Sequence, residues 1–283
     1  APAHLRAARE ALAALGADLD AVDWLGEGEA ADIPFQSLAA EQAIAAARAA
    51  LGEAPLDLIA QPRAGRRKAL LLADMDSTIV TTETLDEIAA FAGLKEKIAA
   101  ITARAMNGEL DFAAALRERV AMLRGLDAGA LERVWQETAM TPGAATLIAT
   151  LRAQGAYTAL VSGGFTFFTS RVAERLGFHE HHANTLLLEG GQLTGAVAEP
   201  ILDKDAKLAT LKRLAAQLSI PLSAAASVGD GANDLPMIQA AGLGVAFRAK
   251  PAVAAAARHR VAHGDLTALL YAQGIRREEW REG

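Results

Sequence analysis

The chain has 283 residues, of which 52% are hydrophobic and 22% charged, a composition that can bury a sizeable core in about two domains of ordinary size. A formal net charge of -6 leaves no basic surplus for nucleic-acid phosphates or an anionic membrane, so neither is an expected partner. The absence of cysteine excludes disulfides, thiolate zinc sites and every cysteine nucleophile. No apolar run reaches the ~18 residues of a membrane span, and no basic-then-apolar leader opens the chain, so the expected location is cytoplasmic.

Residues 1–62 read as a small α+β module. Helical spacing covers Ala3–Leu15 and Ala39–Leu51, while Asp18–Trp24 alternates like a strand and Leu56–Ala60 is a short apolar strand ended by Gln61-Pro62. Residues 63–67 form a linker, and Arg63, Arg66, Arg67 and Lys68 make a solvated basic run. Lys68–Asp74 is then continuously apolar up to its last residue, as in a parallel strand buried on both faces. From Thr84 to Thr138 only helical periodicity is visible, opened by the capping-box pattern Thr84-Leu-Asp-Glu87. Residues 83–138 therefore form a helical cap of about four helices, inserted where an α/β sheet presents the carboxyl ends of its strands. Beyond it, apolar runs at Tyr157–Val161, Ala224–Gly229 and Gly244–Phe247 alternate with helical stretches Pro142–Gln154, Thr166–Leu176, Asp205–Gln217 and Leu235–Ala240. This alternation predicts an α/β fold: a doubly wound, mostly parallel, Rossmann-like core made of 68–82 and 139–283. Thr185–Val197, centred on Gly190-Gly191, reads as a β-hairpin. His179, His181 and His182 read as a solvated surface turn rather than as metal ligands.

Four motifs carry chemistry, each at a strand end. Asp74-Met-Asp76-Ser-Thr78 places two carboxylates at period-two spacing, so both face the crevice. Their mutual repulsion calls for a hard cation, and magnesium is the natural choice. The glycine-rich turn Val228–Asp234 offers Asp230, Asn233 and Asp234 to complete the metal's shell. In Val161-Ser-Gly-Gly164, Ser162 and the following amides open a helix and form a phosphate cradle. Lys207, early in a helix, offers a fixed positive charge. A carboxylate can attack an anionic phosphate ester only when charge is neutralised in this way. Asp76 would protonate the leaving alkoxide and afterwards activate water. Whether metal or burial controls the pKa of Asp76 is open at the level of sequence.

The order of these motifs resembles the haloacid dehalogenase superfamily over about residues 68–275. DMDSTIVTTETLDEIA, ITARAMNGELDF, LRERV, VSGGF and VGDGANDLPM are similar to the phosphoserine phosphatases within it. The resemblance implies Asp74 as nucleophile, Asp76 as general acid/base, and magnesium on Asp74, Asp230 and the Asp76 carbonyl. It implies Ser162, Gly163 and Lys207 on the phosphoryl group, with Asn233 and Asp234 supporting the lysine and the metal shell. In the cap it implies Glu83 on the substrate ammonium, Arg119 on its carboxylate, and Met106 and Phe112 over the pocket. The activity implied is hydrolysis of O-phospho-L-serine, the last step of serine synthesis. The rivals are a phosphatase or phosphotransferase for another small ester, with homoserine as one acceptor, and a non-catalytic amino-acid-responsive regulator. Residues 1–62 resemble part of a ferredoxin-like, ACT-like domain, which suits oligomerisation and admits a homodimer.

Overall fold

The computed structural model describes residues 2–106 and 110–283, without side-chain detail at Pro2, Ala103, Ala105, Met106 and Lys204. The first elements are α1 (Pro2–Ala14), β1 (Asp18–Leu19), β2 (Asp23–Gly26), β3 (Ala30–Asp32), β4 (Phe35–Gln36) and α2 (Ala40–Leu51). Helices α1 and α2 pack through Ala8, Leu12, Ala43 and Ala47. The short strands pair as two separate antiparallel ribbons, β1 with β4 and β2 with β3. The expected single ferredoxin-like sheet is not formed by these strands. Nor is Leu56–Ala60 a strand. Its Asp57 carboxylate instead accepts the backbone N–H groups of Ala262 and Gly264, each at 2.7 Å, which ties the segment to the larger unit side chain first. Ion pairs Arg66–Asp32 (2.6 Å) and Arg276–Asp23 (2.7 Å) dock the same module.

The main unit begins with β5 (Leu70–Ala73), followed by α3 (Thr84–Phe91), α4 (Lys95–Met106), α5 (Phe112–Ala121) and α6 (Gly129–Glu137). Then come α7 (Ala144–Ala153), β6 (Tyr157–Phe165), α8 (Thr166–Leu176), β7 (Glu180–Asn184) and the hairpin β8 (Leu186–Glu189) with β9 (Gln192–Val197). It closes with α9 (Lys204–Gln217), β10 (Ala225–Gly229), α10 (Leu235–Ala240), β11 (Leu243–Phe247), α11 (Pro251–Ala256), β12 (His259–Val261) and α12 (Ala268–Ala272). Six parallel strands form one sheet in the order β12-β11-β10-β5-β6-β7. Alternate residues of β5 feed opposite cores. Leu70 and Leu72 pack with Leu211, Leu214 and Met237, whereas Leu71 and Ala73 join Leu147, Ile148 and Phe168. Helices therefore cover both faces, which is why β5 and β10 carry no exposed residue.

The helices α3–α6 leave and re-enter the core side by side, through Thr81 N–H to Ala139 O (3.0 Å) and Thr141 N–H to Ile79 O (2.9 Å). Their apolar residues Ile88, Leu116, Val120, Leu131 and Val134 are continuous with the core. The α5–α6 turn is also stitched to the hairpin, Gly125 N–H to Leu193 O at 2.8 Å and Leu193 N–H to Leu126 O at 2.9 Å. Of the three histidines read as a surface turn, His181 and His182 lie in β7, at the edge of the sheet, and only the exposed His179 precedes it. His179 stacks on Tyr157 at 4.5 Å, while His181 pairs with Thr169 (3.0 Å) and His182 with Glu180 (2.8 Å).

Candidate active site

The acidic motif residues arrive from the carboxyl ends of β5 and β10, and Lys207 from the first turns of α9. Asp74 directly follows β5, and its N–H still donates to Val228 O of β10 at 3.0 Å. The chain then breaks from the strand and passes through Ser77, at φ 54°, which brings the Asp76 carboxylate back over the site. On the neighbouring strand end, Asp230 and Asp234 follow β10. Gly229 has no room for a Cβ, because one would collide with the Asp234 carboxylate. The Asn233 side chain lies over Gly231 in the same turn.

Lys207 joins the two strand ends. Its Nζ donates to Asp74 Oδ1 at 2.5 Å and to Asp234 Oδ1 at 2.6 Å. Lysine and both partners are buried, at 1%, 5% and 0% exposure respectively. Burial alone would depress this lysine, but the Asp234 and Asp74 carboxylates override it and hold it above its ordinary value. Ligand oxygens of Asp74, Asp230 and Asp234 lie within 4.8 Å of one another. One lysine cannot neutralise three carboxylates. Burial and then the Asp234 charge raise Asp74 well above its ordinary value, and the same causes raise Asp230 to about 7. A divalent cation with oxygen ligands removes this repulsion, so the donor set fits such an ion.

Asp76 behaves differently from the cluster. Its Oδ1 accepts the Thr84 N–H at 2.8 Å, and its Oδ2 accepts the Ser162 hydroxyl at 3.1 Å. Its carboxylate thus spans the cradle and α3, apart from the three carboxylates that cluster. This contact also replaces the expected capping box. Glu83, not Thr84, is the N-cap residue, and Asp76 supplies the acceptor. Burial and then the Glu83 charge raise Asp76 to about 6, against the donors Thr84 and Ser162. A carboxyl at that value is suited to giving and taking a proton near neutrality.

Ser162 Oγ also accepts the Gly164 N–H at 2.8 Å. A Cβ at Gly164 would lie 2.6 Å from Asp76 Oδ2, and one at Gly163 would lie 3.0 Å from Phe112 Cζ. Gly164 is thus imposed by close approach, and the tight contact at Gly163 brings α5 over the cradle. Glu83 is exposed and accepts the Ser77 hydroxyl at 2.7 Å. Arg119 lies half-buried further along α5, with Nε donating to Ala115 O (3.1 Å) and Nη1 to Thr102 Oγ1 (3.2 Å). Burial lowers Arg119, with Asp86 and Glu83 opposing. The Met106 side chain lies outside the described residues. Thr102, Asp86 and the Thr84 amide were not picked out in the sequence. Asp86 could have been, since it stands one helical turn after Glu83.

With this geometry in hand, comparison with known proteins defines the class. Residues 71–239 match the haloacid dehalogenase-like hydrolase family, and the chain belongs to that family. A phosphoserine phosphatase of Streptomyces coelicolor is 46% identical over 237 residues, covering 84% of this chain. The chain spans only 58% of that relative's own length. A solved phosphoserine phosphatase described as a phospho-aspartyl intermediate analogue is 40% identical, with a TM-score of 0.68, and covers 72% of this chain and 98% of its own. A haloacid dehalogenase-family hydrolase of Salmonella enterica is 32% identical with a TM-score of 0.82, covering 93% and 92% of the two chains.

Proposed function

We propose that this chain hydrolyses O-phospho-L-serine to serine and phosphate, through a phosphoaspartyl intermediate on Asp74. The observation that carries the reading is the buried Lys207 held between Asp74 and Asp234, beside Ser162 and with Asp76 bridging to the cap. The relatives named as phosphoserine phosphatases support the substrate. An Asp74 carboxylate oxygen attacks phosphorus as the bond to the serine oxygen breaks, and Asp76 gives that oxygen its proton. Asp76 then takes a proton from water, whose oxygen displaces Asp74 and releases phosphate. Lys207 and the Ser162–Gly164 cradle bind the phosphoryl oxygens and stabilise the charge spread over them. Magnesium, when bound by Asp74, Asp230, Asp234 and the Asp76 carbonyl, supplies the remaining positive charge.

Residues 83–138 act as the cap over this site. Glu83 takes the ammonium, Arg119 takes the carboxylate through its planar fork, and Phe112 closes the apolar side. The proposed reaction is the last step of serine synthesis, and the proposed location is the cytoplasm. A panel of phosphorylated metabolites, assayed with magnesium and with a chelator, tests the reading. Phosphoserine should be the best substrate and its turnover should vanish in chelator. A chain that favours another ester, or that works without metal, contradicts it.

A further inference from the structure

The β6–β7 pairing is interrupted beside the chemistry. Val161 faces His182, and the next pair is Phe165 with Asn184. Ser162, Gly163 and Gly164 on β6 therefore stand against Ala183 alone on β7. A bulge removes ladder partners from its backbone, and a buried carbonyl left alone is costly. Asn184 supplies the missing donor, its Nδ2 donating to Gly163 O at 2.9 Å. The same amide also grips Leu202, with Oδ1 accepting the Leu202 N–H at 2.8 Å and Nδ2 donating to its carbonyl at 3.4 Å. Leu202 precedes Asp203, whose carboxylate caps α9 by accepting the Asp205 and Ala206 N–H groups at 3.0 Å each. Lys207 is the next residue. One buried side chain, 2% exposed, thus joins the cradle to the start of the lysine helix.

We propose that Asn184 is a positioning residue that sets the separation between the phosphate cradle and Lys207. Asparagine suits the task because it offers a donor and an acceptor in one plane; aspartate keeps only the acceptor and alanine keeps neither. The inference rests on reading Ser162–Gly164 as the phosphoryl cradle. It acts on the phosphoryl half of the substrate, so its loss should be felt equally by esters with and without an amino-acid head.

The test uses the full chain with magnesium, measuring kcat and KM on phosphoserine and on p-nitrophenyl phosphate, competitive inhibition by inorganic phosphate, and the melting temperature. Asn184→Ala and Asn184→Asp should each weaken phosphate inhibition and lower kcat/KM on both esters by about 10- to 100-fold, the usual cost of removing a supporting partner. The Asp variant keeps the Leu202 N–H bond, so it decides the matter if the Ala variant does not fold. Variants with unchanged KM and phosphate inhibition, whose kcat falls only with the folded fraction, overturn the proposal. A wild type that binds no phosphate and cleaves neither ester overturns the cradle reading, and this inference with it. A wild type that inhibits with phosphate yet spares phosphoserine overturns only the substrate assignment, and the Asn184 comparison then runs on p-nitrophenyl phosphate.

Discussion

Lys207 shows most clearly how one residue organises the site, because it lies between two buried carboxylates. Removing one partner of a buried ionic group leaves charge uncompensated. Lys207→Met should therefore destabilise the protein by about 3–5 kcal/mol in chemical denaturation and abolish turnover. An unchanged midpoint would mean that the carboxylates do not depend on it. Asp74→Asn should leave the fold intact while turnover falls by at least about 10⁴-fold. At this scale the sequence was informative where a motif follows a buried strand, as at Asp74 and Asp230, since strand ends fix where side chains go. Ser162, expected to open a helix, instead lies within β6, and α8 begins only at Thr166. It was uninformative where a contact crosses between motifs. Asp76 reads as the acid/base from its motif, but its anchors, the Thr84 N–H and the Ser162 hydroxyl, meet it beside a turn through Ser77. Nothing in the spacing announces that turn.

At the level of elements, the apolar strands and the four-helix insert were legible from periodicity, because β5 and β10 are buried on both faces. Strand β7 was not. Its sequence Glu180-His-His-Ala-Asn has no apolar pattern, and it serves at a sheet edge through polar partners. Asn184 was missed with it. The Leu56–Ala60 segment erred the other way, because its apolar residues pack on two cores without strand pairing. The element with the sharpest functional consequence is α5, which carries Phe112 to the cradle and holds Arg119 against Thr102. Arg119→Ala should raise KM for phosphoserine about 10- to 100-fold, the scale of lost charged hydrogen bonds, with little change for p-nitrophenyl phosphate. Equal effects on both esters would remove Arg119 from recognition of the carboxylate.

For the whole molecule, the carboxylate cluster makes stability depend on pH and metal together. Asp76 and Asp230 rise to about 6 and about 7 from an ordinary 3.8, so the metal-free fold favours their protonated forms. Their contribution is complete below the unfolded value near 4 and is lost as pH rises through 6 to 7. Glu180 and Glu279 are held below their ordinary values, so their effect falls at lower pH. In chelator the cluster should lower stability as pH rises from about 4.5 to 7.5, whereas His259, pushed down to about 4 chiefly by burial, raises it over the same window. The cluster's part is therefore read as the difference between the metal-free and magnesium-bound melting temperatures. Magnesium should flatten that decline, because a bound cation favours the ionised carboxylates. A gap between the magnesium-bound and metal-free melting temperatures that fails to widen as pH rises over this window would contradict the cluster's electrostatics.

The proposed mechanism turns on which atom receives the phosphoryl group. Rapid acid quench during turnover of phosphoserine, followed by mass analysis of peptides, should find one phosphoryl group on the peptide containing Asp74. That adduct should be absent from the Asp74→Asn protein. Turnover with Asp74 unmodified throughout, or with the label on Ser77 or Ser162 instead, would contradict the assignment of Asp74 as the nucleophile.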